Sequence, residues 1–496
     1  MLDLLIKTIA QILYKKQKKW SSKPVETQEK VFRSLIKTLA QTKFGKDHKI
    51  DPNDNYAAFK SKIKISDYEG MKSYFDRTAN GEENVLWKGV PIYLAKTSGT
   101  TSGSKFVPIT KDSIGNHMNS ARNALVNYIA NTGNSSFLKG KVMFLSGSPV
   151  LEKKAGIPTG RLSGIVNHHV PKYLKNNQMP SWEINCIEDW ETKVKEVAKE
   201  TLSKDMRLIS GIPPWVQMYF DRITKETGKK IKDVFPNFSV MVYGGVNYEP
   251  YKAKLEESIG KPIDGVEVFP ASEGFFAYQY KPNQKGLLLL LNEGIFYEFI
   301  PADNYFDDNP PRLSIKDVEL NVNYALIINS NAGLWAYSIG DTIKFISKDP
   351  YQVLVTGRIK HFISAFGEHV IGEEVDRAIQ KLVSKYALQV TEFTVAPQVN
   401  PEHGLPYHEW LIEGEMPKER KDDFMLELNQ KMCEQNSYYK DLIEGSVLKG
   451  LQVVWLPQGS FTKYMKSIGK LGGQNKVPRL ANDRKIADCL ISNRIT

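Results

Sequence analysis

The sequence predicts an α/β protein with a large N-terminal domain of mixed sheets and helices and a smaller α+β domain at the C-terminal end. The chain has 496 residues, which is longer than one hydrophobic core usually supports and favours about two to four domains. Residues 1 to about 90 have apolar residues at helical spacing, and residues 91–356 alternate strand and helix patterns. Residues 362–496 repeat that alternation on a smaller scale.

The N-terminal helices are indicated by Val31, Leu35, Leu39 and Phe59, with Gly, Asp, Pro and Asn between the helical stretches. Further along, six apolar segments are typical of strands and two segments between them are typical of helices. The strands are expected at 141–146, 238–243, 286–291, 295–300, 324–329 and 351–356, and the helices near 114–129 and 190–202. This alternation favours a mixed or parallel sheet that is covered on its faces.

The C-terminal stretch contains the elements of a complete small α+β unit. A helix is expected at 373–385, strands at 390–395 and 408–413, a helix at 418–435 and a strand at 447–456. We therefore predict a domain of residues 1–356, a hinge at 357–361 and a second domain of residues 362–496.

Composition narrows the class of protein. Hydrophobic residues make up 41% of the chain and charged residues 25%, as in ordinary globular proteins. The formal net charge of +11 is spread along the sequence, and no interleaving of basic and aromatic residues indicates nucleic-acid binding. Three cysteines far apart indicate neither a disulfide framework nor a zinc site, and no secretory signal is recognisable at the N-terminus. We therefore expect a cytoplasmic protein without stable membrane insertion.

One dense basic block occurs near the N-terminus. Lys15, Lys16, Lys18 and Lys19 follow a stretch that places Leu5, Ile9, Ile12 and Leu13 on one helical face. We interpret this stretch as an ordinary surface helix, with a membrane contact as the alternative.

Residues 97–105, Thr-Ser-Gly-Thr-Thr-Ser-Gly-Ser-Lys, have the composition of a polyphosphate-binding loop. Glycines let backbone N–H groups approach an anion, hydroxyl groups donate further hydrogen bonds, and lysine adds charge. A Walker loop has four residues between its glycines, whereas three separate Gly99 from Gly103, and Ser104 precedes Lys105. A flexible surface loop is the structural alternative.

Two further motifs lie at the ends of predicted strands. Tyr243 is followed by Gly244 and Gly245, and such junctions are favoured ligand sites in open α/β sheets. Taken singly, however, the motif favours a plain turn. The segment 269–274, Phe-Pro-Ala-Ser-Glu-Gly, carries a single carboxylate, Glu273. Such an acid is ordinarily solvated, but Mg²⁺ prefers oxygen ligands shared between one or two carboxylates and substrate phosphates.

Three motifs follow in the second half of the chain. Residues 333–345 are predicted to form two short strands around a Gly-Asp turn, in which Asp341 is either a turn residue or a ribose ligand. Arg358 lies at the predicted hinge, where it is either an interface charge or a phosphate contact. Lys476 lies in a glycine-flanked basic loop and is either solvated or delivered into a closed site.

Singly these motifs are weak, but their order resembles that of the adenylate-forming superfamily. More closely, the chain resembles the Gretchen Hagen 3 acyl acid amido synthetases, the auxin-responsive family of plants with bacterial relatives. The matching stretches are 84–87, 97–110, 296–301, 332–341 and 474–479. They are distributed over nearly the whole chain.

The resemblance implies an N-terminal ATP- and acyl-binding domain and a mobile C-terminal lid domain. It implies a phosphate-binding set of Thr97, Ser98, Gly99, Thr100, Thr101, Ser102 and Lys105, and an adenine-binding set of Gly244, Gly245, Val246, Ala271 and Ser272. It implies that Glu273 binds Mg²⁺, Asp341 the ribose and Arg358 the ribose or phosphate, and that Lys476 enters the closed site for adenylation. The helix after the loop would line the acyl pocket with Met118, Ala121, Arg122 and Leu125, or else these residues are buried in the core.

The implied reaction is activation of a carboxylic acid by ATP and Mg²⁺ to acyl-AMP, followed by attack of an amine, with an amino acid as the expected acceptor. The partners are therefore small-molecule acids and amines. The alternatives are transfer of the acyl group to coenzyme A or a carrier thiol, and a catalytically silent nucleotide-binding protein. The residues do not identify the acid, the amine or the oligomeric state.

Overall fold

The computed structural model describes residues 2–100, 103–245, 248–359, 362–363, 365–368, 370–388, 390–468 and 477–492. Its largest element is a sheet of 11 strands, accompanied by sheets of four, three and two strands. Helices precede, cover and follow these sheets, so the predicted α/β class is confirmed.

Helices are concentrated at the N-terminus and then alternate with strands. They are α1 (Leu2–Ser21), α2 (Pro24–Leu39), α3 (Lys43–Asp47), α4 (Tyr56–Lys62), α5 (Lys72–Ala79), α6 (Ile114–Thr132), α7 (Leu162–Asn167), α8 (Lys172–Lys175), α9 (Trp182–Asn185), α10 (Trp190–Thr201), α11 (Pro213–Thr227), α12 (Ile231–Val234), α13 (Glu249–Ile259), α14 (Gly372–Tyr386), α15 (Lys421–Gln435), α16 (Ser437–Glu444), α17 (Ser460–Ser467) and α18 (Lys485–Ser492).

Strands begin after α5. They are β1 (Tyr93–Thr100), β2 (Gly103–Ile109), β3 (Lys141–Phe144), β4 (Glu152–Lys154), β5 (Ile157–Gly160), β6 (Gln178–Met179), β7 (Met206–Ser210), β8 (Val240–Gly244), β9 (Asp264–Ala271), β10 (Gly274–Gln279), β11 (Leu287–Leu289), β12 (Ile295–Pro301), β13 (Asn323–Ser330), β14 (Leu334–Lys348), β15 (Tyr351–Arg358), β16 (Phe362–Ile363), β17 (Val370–Ile371), β18 (Val390–Gln398), β19 (Tyr407–Gly414) and β20 (Gln452–Leu456).

The large sheet has a parallel half and an antiparallel half. Its strand order is β12-β13-β14-β15-β11-β10-β9-β8-β7-β3-β6. The neighbours β6-β3-β7-β8-β9 pair in parallel, and the neighbours β9-β10-β11-β15-β14-β13-β12 pair antiparallel. The parallel strands end at one edge, where loops can form a binding site. The shorter sheet β2-β1-β5-β4 carries the segment 97–105.

The N-terminal helices pack on the antiparallel half of the sheet, although more than 200 residues of sequence separate the two. Phe32, Leu35 and Phe59 share a buried core with residues of strands β10 to β15. Gln28 is buried within this interface, and its Nε2 donates to the carbonyls of Leu291 and Ile295 at 2.7 and 2.9 Å. The helices are therefore an integral part of this domain.

The structure corrects three predicted elements. Residues 333–345 do not form two strands around a turn, because β14 runs unbroken from Leu334 to Lys348. Gly340, at φ +83°, lies in a bulge where the register with β13 shifts, a geometry that glycine adopts without steric cost. The strand predicted at 447–456 begins only at Gln452, and the helix predicted at 418–435 starts with a 3₁₀ turn before Lys421.

Helix α1 lies on the surface of the protein. Its apolar residues Leu5, Ile9 and Ile12 are exposed. The helix packs through the opposite face, which buries Ala10 and Gln17 against α6. Among the helices in the described ranges, none is long and apolar enough to cross a membrane.

The C-terminal elements form sheets of their own, β18-β19-β20 and β16-β17, beside α14 to α18. They also pack on the rest of the chain. One buried core includes Tyr251 of α13 together with Ile363, Phe366 and Val375. The division into residues 1–356, a hinge at 357–361 and residues 362–496 stays a prediction, and positions 360 and 361 lie outside the described residues.

Candidate active site

The segment 97–105 forms the end of a β-hairpin. Strands β1 and β2 pair antiparallel with Thr97 opposite Lys105, and the register shifts before Thr100 reaches Gly103. The Lys105 Nζ lies 5.5 Å from the ring centroid of Tyr68, whose Oη accepts a hydrogen bond from the Phe106 N–H at 3.0 Å. The described part of the predicted loop therefore belongs to two paired strands. Thr101 and Ser102 lie outside the described residues.

Helix α6 connects this hairpin to the turn that carries Glu273. The helix follows β2 directly, and its buried Asn116 pairs with the backbone of Phe275. The Asn116 Oδ1 accepts from the Phe275 N–H at 2.6 Å, and its Nδ2 donates to the Phe275 carbonyl at 3.0 Å. This two-point contact fixes the start of β10 and the Ser272-Glu273 turn before it.

Glu273 is at the tip of a two-residue turn between β9 and β10. Ala271 pairs with Gly274 across the turn, so Ser272 and Glu273 protrude from the ladder. Both side chains are partly exposed, and the Glu273 carboxylate forms no hydrogen bond or salt bridge with any residue in the described ranges. A carboxylate in this position is free to bind a cation.

The glycines after Tyr243 lie at the same edge of the sheet. Strand β8 ends at Gly244, which pairs in parallel with Val268 of β9. A Cβ added at Gly244 would stand 2.1 Å from the Val268 carbonyl oxygen, so this close approach requires glycine. Gly245 follows at φ +81°. Val246 lies outside the described residues.

Asp341 and Arg358 are brought together on adjacent strands. They are direct register partners between β14 and β15, just after the bulge at Gly340. Three strands of the sheet, β15, β11 and β10, lie between β14 and the strand that ends at Ala271. Of Arg358 only the strand position is described, and Lys476 lies outside the described residues.

Four predicted acyl-pocket residues share one face of α6. Met118 and Leu125 are half-buried, and Ala121 and Arg122 are exposed. The core face of the helix is a different one and buries His117, Ser120, Ala124, Asn127 and Tyr128. The alternative interpretation, that the four residues are buried core positions, is therefore wrong for Ala121 and Arg122.

Burial lowers the pKa of His117 to about 4, so this histidine is neutral in the folded protein at neutral pH. The unfolded chain, with a histidine pKa of about 6.5, takes up the proton first as the pH falls. The part of the unfolding free energy that depends on neutral His117 is fully present above about pH 6.5 and is lost as the pH falls toward 4. We expect His117 to contribute a loss of about 2 kcal/mol in unfolding free energy between about pH 7.5 and pH 5.

The measurement is urea unfolding of the wild type and of His117→Gln at both pH values. The variant should lose this part of the pH dependence, whereas His403→Gln, at an exposed position, should keep it. Equal pH dependence in all three proteins would contradict the prediction.

The C-terminal part contacts the hairpin through α16. The Tyr438 Oη donates to the Lys96 carbonyl of β1 at 3.2 Å. Arg161 forms a salt bridge with Asp441 and stacks over the Tyr438 ring at 4.8 Å. These contacts place a C-terminal helix directly against the strand that leads into 97–105.

Sequence reasoning missed two residues beside these motifs. Asn116 was missed because its partner, Phe275, is 159 positions away. Glu293, between β11 and β12, is a partly exposed carboxyl. Burial raises its pKa above the ordinary value, and the charge of Arg122 offsets only part of this rise. Its place in Asn-Glu-Gly, directly after a buried strand, was the only available signal.

Three family models match consecutive parts of the chain. The GH3 family N-terminal domain matches residues 13–186 and 162–263, the GH3 family central domain matches 288–358, and the GH3 family C-terminal domain matches 373–485. This chain belongs to the GH3 family. The predicted membership is thereby confirmed.

Similar GH3 proteins match over most of their length. Jasmonoyl–L-amino acid synthetase JAR4 of Nicotiana attenuata is 22% identical over 79% of this chain and 80% of its own length. Indole-3-acetic acid-amido synthetase GH3.3 of Arabidopsis thaliana is 22% identical over 95% of this chain and 91% of its own.

Solved structures show the same fold at low sequence identity. The GH3.15 acyl acid amido synthetase superposes with a TM-score of 0.58 at 16% identity, over 96% of this chain and 94% of its own. A 2-hydroxyisobutyryl-CoA ligase, solved with 2-HIB-AMP and CoA in its thioesterification state, has a TM-score of 0.60 at 12% identity, over 95% and 92%. The chain therefore shares its fold with these two enzymes.

Proposed function

We propose that this GH3 chain is an ATP-dependent ligase that activates a carboxylic acid as acyl-AMP and joins it to an amine, forming an amide. The amine we propose is an amino acid. The observation that carries the proposal is the Glu273 turn, which Asn116 locks in place while its carboxylate has no partner among the described residues. Family membership and the amido synthetases among its relatives support the same chemistry.

The phosphates of ATP are assigned to the tip of the hairpin. We propose that Ser98, Gly99, Thr100, Thr101 and Ser102 hold the β- and γ-phosphates together with Thr97 and Lys105. Backbone N–H groups of a segment rich in glycine and hydroxyl residues can approach an anion closely. Helix α16, which contacts β1 at Lys96, would limit access of water from that side.

The nucleoside is assigned to the sheet edges. Gly244, Gly245 and Val246 would border the adenine together with Ala271 and Ser272, because the β8 end and the β9–β10 turn lie at one edge. Asp341 would accept hydrogen bonds from the ribose hydroxyls, with Arg358 beside it. Met118, Ala121, Arg122 and Leu125 would line the acyl pocket.

Mg²⁺ fits this arrangement as a cofactor held by Glu273. The described residues contain no group of three or more potential metal ligands, and Mg²⁺ commonly binds one or two carboxylates together with substrate phosphates and water. When bound, it would neutralise phosphate charge during attack of the acid carboxylate on the α-phosphorus.

Lys476 is assigned to the first step as the positive charge that enters the closed site and stabilises the transferred carboxyl and phosphate groups. Pyrophosphate leaves as the acyl–phosphate bond forms. In the second step an amine nitrogen, after losing its proton, attacks the acyl carbon and AMP leaves. The protein would hold the two reactants in line and exclude water.

A thiol acceptor is the closest alternative, because the same fold includes a CoA ligase. The test is a mass-spectrometric screen of carboxylic acids for acyl-AMP with ATP and Mg²⁺. Each acid that forms an adenylate is then offered a panel of amino acids without coenzyme A, and separately coenzyme A. Amide products support the proposal. Thioester formation with no amide, or no acyl-AMP from any acid, would reject it.

We propose that the enzyme acts in the cytoplasm, where ATP is available and cysteines remain reduced. Cys186, Cys433 and Cys489 are free thiols in the structure, and free thiols persist in reducing compartments.

A further inference from the structure

Helix α1 has an inner face that packs on the rest of the protein and an outer face whose apolar residues are exposed. Its inner face is fixed to α6: the Gln11 Nε2 donates to the Ala130 carbonyl at 2.7 Å, and the Gln17 Nε2 donates to the Asn127 Oδ1 at 3.2 Å. The Tyr278 Oη also donates to the Gln17 Oε1 at 2.7 Å. These contacts fix the position of the helix and do not involve its outer face.

The outer face is a stripe of residues at helical spacing that changes character along its length. Leu5, Ile9 and Ile12 occupy positions i, i+4 and i+7, and their exposures are 55%, 46% and 50%. Lys16 and Lys19 continue the same spacing into the last turns. We refer to these five residues as the outer stripe.

A basic cavity opens beside the lysine end of the outer stripe. Its volume is about 720 Å³, and its lining includes the side chains Lys16, Lys19, Lys23, Lys30 and Lys88. The acids that line it, Glu26 and Asp112, are already paired with lysines of the lining. Lys16 and Lys19 form no salt bridge with any residue in the described ranges.

We propose that the outer stripe and this cavity dock the enzyme on the surface of an anionic lipid bilayer. The apolar half would enter the boundary between headgroups and acyl chains, as in peripheral enzymes with interfacial helices. The lysine half would lie at the level of the phosphates, and the cavity would receive a headgroup. The separation of apolar and basic halves along the helix favours a membrane over an acidic peptide, because a bilayer has the same separation along its normal.

The proposal concerns a reversible surface contact and is independent of the proposed ligase function. Its effect would be to hold the enzyme where acids that partition into membranes are concentrated. The variants that test it lie outside the residues assigned to the active site, and thermal unfolding, which does not depend on the ligase proposal, serves as the readout of intact folding.

The test is flotation of the full chain with vesicles of phosphatidylcholine alone or mixed with phosphatidylglycerol. We expect binding only to the anionic vesicles, and release in high salt. Lys16→Gln with Lys19→Gln should weaken binding roughly 25-fold, because each lysine near an anionic surface contributes roughly fivefold. Leu5→Ser with Ile9→Ser and Ile12→Ser should weaken it at least about tenfold.

Matched controls separate this surface from general charge and hydrophobicity. Leu426→Ser removes another exposed leucine, and Lys225→Gln with Lys229→Gln removes two other exposed lysines. Both should bind vesicles like the wild type. Absence of binding to anionic vesicles, or equal binding to neutral ones, would overturn the proposal. A third result would also overturn it: no binding to vesicles, together with self-association in sedimentation that is lost in the triple variant of Leu5, Ile9 and Ile12.

Discussion

Replacement of Glu273 by alanine is expected to lower the rate of acyl-AMP formation by on the order of 100-fold or more. The carboxylate is the proposed Mg²⁺ ligand, and the two-residue turn Ser272-Glu273 contains no second carboxylate that could replace it. The melting temperature should not change, because this carboxylate has no partner among the described residues and its removal leaves no buried group unpaired.

Pyrophosphate exchange and thermal unfolding are the measurements. Glu415→Ala removes another exposed acid next to a strand and should leave both unchanged. Lys476→Ala should resemble Glu273→Ala, with Lys466→Ala as its control. Exchange at the wild-type rate in both active-site variants would refute these site assignments.

Replacement of Arg312 by methionine should have the largest effect on stability, a loss of about 3–5 kcal/mol in unfolding free energy. Arg312 forms a two-point salt bridge with the fully buried carboxylate of Glu298, at 2.6 and 2.8 Å. It also donates to the carbonyl of Ile63, just after α4. The variant would leave the Glu298 charge buried and only partly satisfied by Tyr56 and Asn329.

The double variant Arg312→Met with Glu298→Met provides the decisive comparison. Removing both charges avoids the unpaired carboxylate, so we expect the double variant to be more stable than the single one. Asp76→Ala, which breaks an exposed salt bridge with Lys72, should cost less than about 1 kcal/mol. Chemical unfolding of the four proteins tests this, and a single variant as stable as the wild type would contradict it.

Glu298 also illustrates what resemblance to a family cannot tell. It lies in 296–301, one of the stretches that indicated the family, and conveyed no role there. In the fold it is the centre of a polar network that joins α4, β12 and β13. Burial and, to a smaller extent, the charge of Glu298 raise the pKa of Tyr56 far above its ordinary value. This network depends on contacts over some 240 residues of sequence, which local patterns do not reveal.

The sequence predicted most central strands to within a few residues, because their apolar runs are bounded by clear turn residues. It failed at Gly340, where glycine followed by aspartate is typical of a turn but also fits a bulge. Pairing with β13 and β15 decides between these two. At α1, periodicity indicated an apolar face but not whether that face is covered, and the structure leaves it exposed.

The candidate site was predicted through the order of its motifs, and the contacts that position it were not. Glu273 could be singled out from Ser-Glu-Gly, whereas the Asn116 amide that fixes its turn lies in a helix predicted only for its apolar spacing. Side-chain contacts between distant segments are a property of the tertiary structure alone.

The packing of helices α2 to α5 on strands β10 to β15 has a consequence during synthesis. These helices leave the ribosome first, but their core partners extend to Val353. At a synthesis rate of about 5–20 residues per second, their apolar faces stay without these partners for on the order of 15–60 seconds. Gln28 meets its carbonyl partners only after Ile295 has emerged. The N-terminal segment therefore exposes apolar surface until those strands have emerged, a state in which chaperones protect nascent chains.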